Sequence, residues 1–154
     1  MNRLSDVDWS TWRARHPATL VFVFRGEEIL LIDKKTGLGK GKINGPGGKV
    51  DPGETPEQAA SRELREETGY AAGRVESLGS INPNPALFAN RVHMWAALDC
   101  VPVGPIQNSS NEETSVELLP LARLGQSVRE GAIDHALVVA ALYSFELWRS
   151  SPTR

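Results

Sequence analysis

The chain has 154 residues, a formal net charge of −2 and a pI of about 5.9. Hydrophobic residues make up 40% of it and charged residues 23%, which is typical of a globular domain and not of a disordered or fibrous chain. The slightly acidic balance argues against duplex nucleic acid as a partner, because duplex binding favours a basic face. Cys100 is the only cysteine, which excludes an internal disulfide and a cysteine metal cluster.

The start of the chain, MNRLSDVDWS, lacks the apolar core of a signal peptide. No stretch approaches the roughly 18 apolar residues of a membrane span. We therefore expect a cytoplasmic protein without a membrane partner.

Strands and helices are predicted without a regular alternation. The β-branched and aromatic run over residues 18–24 favours a buried strand, and residues 27–33 favour its hairpin partner. The other predicted elements are a short helix over 5–15 that begins at Ser5, a glycine- and lysine-rich loop before residue 51, strands over 75–81, 91–99 and 116–121, a polar loop over 107–114, and a closing helix over 133–148. This mixture indicates an α/β (α+β) fold or a sheet packed between helices.

The clearest predicted helix covers residues 55–68. Thr55 and Gln58 have the spacing of a capping box, and Gly69 lies where a helix ends. Leu64 lies on its apolar side, and we expect that side to anchor the helix to a sheet.

Three glutamates of this helix, Glu63, Glu66 and Glu67, have i, i+3, i+4 spacing and cover an arc of about 100°. Like charges at these spacings repel by a few tenths of a kcal/mol per pair, so the simplest alternative to a site is a solvated acidic face. However, the glycine-rich loop before the helix lets backbone approach a ligand closely. Converging carboxylates suit Mg²⁺, which takes oxygen ligands and bridges to phosphates, with Mn²⁺ as a substitute.

The same region resembles the Nudix hydrolase family of MutT type. The matching residues follow the Nudix box without a gap or substitution: Gly48, Glu54, Arg62-Glu63-Leu64, Glu66-Glu67 and Gly69-Tyr70. A match at this many set positions, each with a background of about 7%, is not expected by chance. The resemblance implies an α/β/α sandwich with a mixed central sheet and a catalytic loop–helix–loop at 48–70. It also implies one domain over 18–148, between an N-terminal segment 1–17 and a tail 149–154.

The resemblance also implies roles for the box residues. The glutamates that match Glu63, Glu66 and Glu67 hold the catalytic divalent ions, often with help from the backbone carbonyl that matches Gly48. The arginine that matches Arg62 orients a glutamate. A metal-polarised water attacks phosphorus after a carboxylate takes its proton. As exposed ligands, Glu66 and Glu67 are expected to contribute little to packing.

The identity of the base varies within the family. Glu66 and Glu67 are candidates. Glu113 and Glu117 lie where other members place a base or a metal ligand. For these last two residues a solvated loop is the alternative.

Four residues are candidates for substrate binding. Lys42 and Lys49 are candidates to meet phosphate oxygens, although lysines in a polar loop are often only solvated. Asn44 matches an asparagine that reads a purine edge in MutT-type enzymes, with an Asn-Gly turn as the alternative. Asp134 matches an acidic base-reading position in the same relatives, with helix N-terminal chemistry as the alternative.

These features favour hydrolysis of a (d)NTP or an oxidised (d)NTP to a monophosphate and pyrophosphate. Gly131-Ala132 supplies no aromatic residue before Asp134, which weakens the oxidised-purine choice. The alternative substrate is ADP-ribose or another nucleoside diphosphate sugar, since Pro85 lies 16 residues after Gly69 as in ADP-ribose hydrolases. A further alternative is a nucleotide-sensing module without turnover. We expect a small nucleotide as the partner and a monomer or homodimer.

Overall fold

The computed structural model describes residues 8, 10–11, 17–36, 40–86, 89–108 and 113–151. Strands in these ranges are β1 (Ala18–Arg25), β2 (Glu28–Lys34), β3 (Ile43–Asn44), β4 (Tyr70–Ala71), β5 (Arg74–Ile81), β6 (Val92–Leu98), β7 (Val101–Pro102) and β8 (Thr114–Pro120). Helices are α1 (Pro56–Thr68), α2 (Leu124–Arg129) and α3 (Ala136–Arg149), with a short 3₁₀ helix at Leu121–Arg123. None of the described helices is long and apolar enough to cross a membrane.

The main sheet is mixed and has the order β3-β2-β1-β6-β5. In addition, β8 pairs with β2 along the whole length of β2. β1 and β6 run parallel, and the other pairs are antiparallel. A separate small sheet joins β4 to β7. The mixed sheet and the helices that flank it confirm the predicted fold class.

β1 and β2 pair only over the last three residues of β1, from Val23 to Arg25, and then separate. The segment over residues 45–49 fills the gap: the Val21 N–H donates to the Pro46 carbonyl at 2.8 Å and the Thr19 N–H to the Gly48 carbonyl at 2.8 Å. A Cβ at Gly47 would lie 2.3 Å from the Thr19 carbonyl oxygen, so this approach requires glycine.

Two apolar cores lie on opposite faces of the sheet. On one face, Leu64 and Ala60 of α1 pack against residues of β1, β2 and β6. On the other face, α2 and α3 cover alternate residues of the same strands, with Phe22 fully buried among them. The result is the predicted α/β/α sandwich, and the burial of Leu64 confirms that its side of α1 anchors the helix.

The capping box at the start of α1 is present as predicted. Thr55 Oγ1 accepts from the Gln58 N–H at 3.2 Å, the Gln58 side chain accepts from the Thr55 N–H at 2.9 Å, and Gly69 ends the helix with a φ of 73°. These contacts fix the first and last turns of the helix that carries the three glutamates.

Some boundaries differ from the prediction. The closing helix begins at Ala136 and not at residue 133, because His135 is extended and its Nδ1 accepts from the Leu137 N–H at 3.2 Å. Strand β8 begins at Thr114, two residues earlier than predicted, because Thr114 pairs with Lys34 of β2. Helix α2, with six residues, is too short for its periodicity to stand out. The predicted N-terminal helix over 5–15 lies almost entirely outside the described residues.

Candidate active site

A cleft of about 570 Å³ opens where β1 separates from β2. This volume falls in the range of small-molecule sites. Its cationic lining residues are Lys34, Lys42, Lys49 and Arg62, its apolar ones Ala18, Leu20, Val92 and Leu137, and its other polar ones include Asn44, Glu63 and His135. Four cations beside an apolar surface suit a ligand that carries phosphates at one end and a flat organic group at the other.

Most of the predicted site residues meet in this cleft. Gly48, Glu63, Arg62, Asn44 and both predicted phosphate-binding lysines line it. Asn44 lies in β3, and its side-chain oxygen accepts from the Gly45 N–H at 2.9 Å, so both the strand position and the local turn contact are present.

Asp134 lies at the edge of the cleft. Its carboxylate accepts a hydrogen bond from the ammonium of Lys42, which is itself a cleft residue. The same contact lowers the pKa of Asp134 below its ordinary value. The ion pair therefore connects the loop before β3 to the segment that leads into α3, and it keeps Asp134 ionised next to the cleft.

Arg62 is the centre of a carboxylate network. Its Nε donates to Glu54 at 2.9 Å, and one terminal nitrogen donates to Glu63 at 2.8 Å and to Glu66 at 3.2 Å. The other terminal nitrogen donates to the Lys49 carbonyl at 3.1 Å. The hydrogen bond to Glu54, followed by that to Glu63, raises the pKa of Arg62, and Arg62 in turn lowers the pKa of Glu54. The predicted i, i+4 contact to Glu66 is present. Glu54 accepts from Nε of the arginine, whereas Glu63 and Glu66 accept from a terminal nitrogen.

Glu67 is buried, contrary to the expectation that it is an exposed ligand. Its side chain is 2% exposed, whereas that of Glu66 is 43% exposed. One Glu67 oxygen accepts from the Gly47 N–H at 2.8 Å, and the other lies 3.9 Å from Lys34 Nζ. The Glu67 side chain therefore points away from the acidic face, toward β2 and the segment over residues 45–49. There the buried Lys34 ammonium and the Gly47 N–H compensate its charge.

The donor chemistry of the site fits a hard divalent cation. Glu63 and Glu66 converge on one cationic nitrogen of Arg62, at 2.8 and 3.2 Å, and both supply the oxygen ligands that Mg²⁺ prefers. Across the described residues, no three histidine, cysteine, aspartate or glutamate side chains form a complete metal cluster. The carboxylates are thus gathered around Arg62. A metal ion would bind to the same carboxylate oxygens, next to the arginine.

The structure does not bring Glu113 and Glu117 to this network. Both are exposed, and the Glu113 carbonyl accepts from the Lys35 N–H at 2.8 Å. Glu117 lies opposite Leu31, which packs on the α3 side of the sheet, so its side chain leaves the face that α1 covers. Their roles as base or ligand stay predictions.

Several cleft residues are not among the predicted site residues. Lys34 ends β2 and is almost fully buried, and a buried lysine within an apolar strand is the signal that marks it. Leu20, Val92 and Leu137 gave no such signal, because apolar residues in strands and helices are normally core.

Comparisons with known proteins show the family of this chain. The NUDIX domain family matches residues 14–142. The chain is 52% identical over 63 residues to the oxidized purine nucleoside triphosphate hydrolase of Danio rerio, a match that covers 41% of this chain and 40% of that protein. It is 25% identical over 134 residues to the ADP compounds hydrolase NudE of Escherichia coli (strain K12), with 87% and 72% covered.

A crystal structure of an ADP compounds hydrolase is similar to this fold with a TM-score of 0.78 and 23% sequence identity. The similarity covers 88% of this chain and 74% of that one. The chain matches only about two-fifths of the length of the oxidized purine relatives.

Proposed function

Because this chain belongs to the Nudix family, we propose that it is a hydrolase that uses a divalent cation, Mg²⁺ first, to cleave a phosphoanhydride bond in a nucleoside diphosphate linked to another group. The observation that carries this proposal is the convergence of Glu63 and Glu66 on Arg62 at the wall of a cleft with four cations. Carboxylates alone would repel a phosphate. With a bound divalent cation and nearby lysines, the same wall attracts one.

Glu63, Glu66 and Glu67 would hold the metal, with the Gly48 carbonyl as a further oxygen donor. When bound, Mg²⁺ neutralises phosphate charge and lowers the pKa of a water molecule. Arg62 orients Glu63 and Glu66 through a single nitrogen, at 2.8 and 3.2 Å.

Glu66 is our choice for the base that takes the proton from the attacking water. Its carboxylate is accessible, whereas that of Glu67 is buried and already accepts from the Gly47 N–H. Glu67 then serves only as a metal ligand, held in position by the Gly47 N–H. With Glu66 as the base, the proton acceptor lies in α1, and no residue of β8 is required.

The cleft favours a nucleoside triphosphate as the substrate, with a monophosphate and pyrophosphate as products. Lys34 and Lys49 supply charge for a phosphate chain, and Leu20 and Leu137 supply an apolar surface for a base. Asn44 offers both a donor and an acceptor to a base edge. A nucleoside triphosphate offers a base to the apolar residues and a phosphate chain to the lysines. The relative from Danio rerio is named for such a substrate class.

A second candidate substrate is ADP-ribose or a nucleoside diphosphate sugar. One match that spans most of this chain is to a protein named for ADP compounds. Pro85, the sequence feature that favours this substrate, lies in an exposed turn and is not a cleft residue. The candidate therefore rests on the names of similar proteins and not on a residue of the cleft.

A substrate panel with Mg²⁺ and product identification by chromatography tests the proposal. The panel contains ordinary and oxidised (d)NTPs, ADP-ribose, sugar nucleotides and dinucleoside polyphosphates, and Glu66→Gln is the blank. Pyrophosphate and a monophosphate from one triphosphate support the first candidate, and AMP with ribose 5-phosphate supports the second. Nucleotide binding without any turnover would overturn the proposal in favour of a sensor.

We also propose a small nucleotide as the partner, with no role for duplex nucleic acid or a membrane surface. The cytoplasm stays the predicted compartment, and a monomer or homodimer the predicted assembly. Sedimentation of the purified chain checks the last of these.

A further inference from the structure

The C-terminal end of α1 is held by the segment that leads into β8. The Gln107 N–H donates to the Glu66 carbonyl at 2.8 Å, and Thr114 Oγ1 donates to the Glu67 carbonyl at 2.9 Å. The last four carbonyls of a helix have no partner within it and must be satisfied from outside. Here the outside partners contact the backbone of two glutamates of the site.

Thr114 is well placed to fix one of these glutamates. It is 8% exposed, begins β8 and lies opposite Lys34 in the strand pairing. Its hydroxyl also contacts the side-chain amide of Asn108 at 3.0 and 3.2 Å. With its single proton donated to the Glu67 carbonyl, the hydroxyl accepts from the Asn108 side-chain N–H at 3.0 Å, so the sheet and Asn108 both hold it in place.

The two ends of Glu67 are fixed by different elements. Its carbonyl is held by Thr114 of β8, and its carboxylate accepts from the Gly47 N–H at 2.8 Å. A shift of the helix end would move this carboxylate relative to Gly47. It would also move the neighbouring Glu66.

We propose that Thr114 is a positioning residue for the reaction, acting through the backbone of Glu67. This inference rests on the proposed function, because the reaction it serves is the metal-dependent hydrolysis described above. A misplacement of about 1 Å in a site can reduce turnover about a hundredfold, so loss of the hydrogen bond that fixes the Glu67 backbone is expected to lower kcat.

Two substitutions separate the hydroxyl from the shape of the residue. Thr114→Val keeps the branched shape and removes the donor, whereas Thr114→Ser keeps the donor. We expect Thr114→Val to lower kcat about ten- to hundredfold with KM for the nucleotide nearly unchanged. Thr114→Ser should restore most of kcat.

Thr68→Val is the matched control. Thr68 is also buried, and it lies at the same end of α1, where its hydroxyl donates to the Leu64 carbonyl and accepts from the Tyr70 N–H. The control therefore removes a buried threonine hydroxyl next to the site without touching the backbone of a site glutamate. We expect its kcat to stay near the wild-type value.

Amide hydrogen exchange at Gly47, followed by NMR, supplies a readout that needs no turnover. Because the Gly47 N–H donates to Glu67, its exchange should be faster in Thr114→Val and unchanged in Thr114→Ser and Thr68→Val. Equal kcat and equal Gly47 exchange in wild type and Thr114→Val would overturn the inference. So would an equal loss in Thr68→Val. If wild type turns over no substrate, the proposed function fails, and Gly47 exchange still decides whether Thr114 positions Glu67.

Discussion

Gly48 lies directly against the carboxylate of Glu63. A Cβ at position 48 would be 2.3 Å from Glu63 Oε1 and 2.7 Å from its carboxyl carbon. A side chain there would fit only if the Glu63 carboxylate moved away, so the glycine lets the loop before α1 approach a site carboxylate at backbone distance. The contact places the Gly48 backbone and the Glu63 oxygens at the same wall of the cleft.

Gly48→Ala is therefore expected to displace Glu63 and to lower kcat at least about tenfold. Gly104→Ala is the control, because a Cβ at Gly104 meets no atom within 4 Å. Steady-state kinetics on both variants check the prediction. Wild-type kcat in Gly48→Ala would show that Glu63 does not need its present position.

Glu66→Gln and Glu67→Gln should both abolish turnover but differ in stability. Glu66 is half exposed, so its substitution should leave the free energy of unfolding nearly unchanged. Glu67 is buried against Gly47 and Lys34, and its substitution should reduce that free energy by about 1–3 kcal/mol. Urea denaturation measures both values, and an unchanged midpoint for Glu67→Gln would refute the role of its burial.

Leu64→Ala should reduce the free energy of unfolding by about 2–5 kcal/mol, because the side chain is 1% exposed between α1 and the sheet. The matched control is Leu147→Ala in α3, where the leucine is 56% exposed and a small change is expected. Thermal melting compares the two. Equal losses would mean that α1 does not pack on the sheet through Leu64.

The Arg62–Glu54 pair should make stability depend on pH. Arg62 lowers the pKa of Glu54, so the ionised carboxylate stabilises the folded state at pH values above its ordinary pKa of 4.5, and this contribution is lost as the pH falls through the lowered value. Wild type should therefore exceed Glu54→Gln in stability at pH 7, and the difference should shrink below about pH 4.5. Denaturation of both proteins across this pH range measures the difference in stability. A difference that is independent of pH would contradict the pairing.

The local features of the site could be predicted because short patterns encode them. The capping box at Thr55, the end of α1 at Gly69 and the inward side of Leu64 all follow from residues within one or two helical turns. The contact between Arg62 and Glu66 could be predicted likewise, since residues four apart lie on adjacent turns of a helix.

The burial of Glu67 could not be predicted, because it depends on Lys34 and Gly47, which are distant from Glu67 in the chain. They contact Glu67 in the region where β1 and β2 separate. The predicted loop over 107–114 includes Thr114 for the same reason, because its partner Lys34 is 80 positions away in the chain. The apolar part of the cleft was missed because Leu20 has the same pattern as its core neighbours. Contacts between distant segments determine all three features.

Binding of Mn²⁺ to the substrate-free protein, followed by electron paramagnetic resonance, tests most directly whether the glutamates of α1 hold a metal. Glu63→Gln is compared with Glu57→Gln, which removes the same charge from the exposed first turn of the same helix. We predict that Glu63→Gln weakens Mn²⁺ affinity at least about tenfold, while Glu57→Gln leaves it unchanged. Equal affinity in wild type and Glu63→Gln would contradict a metal-dependent site on this helix.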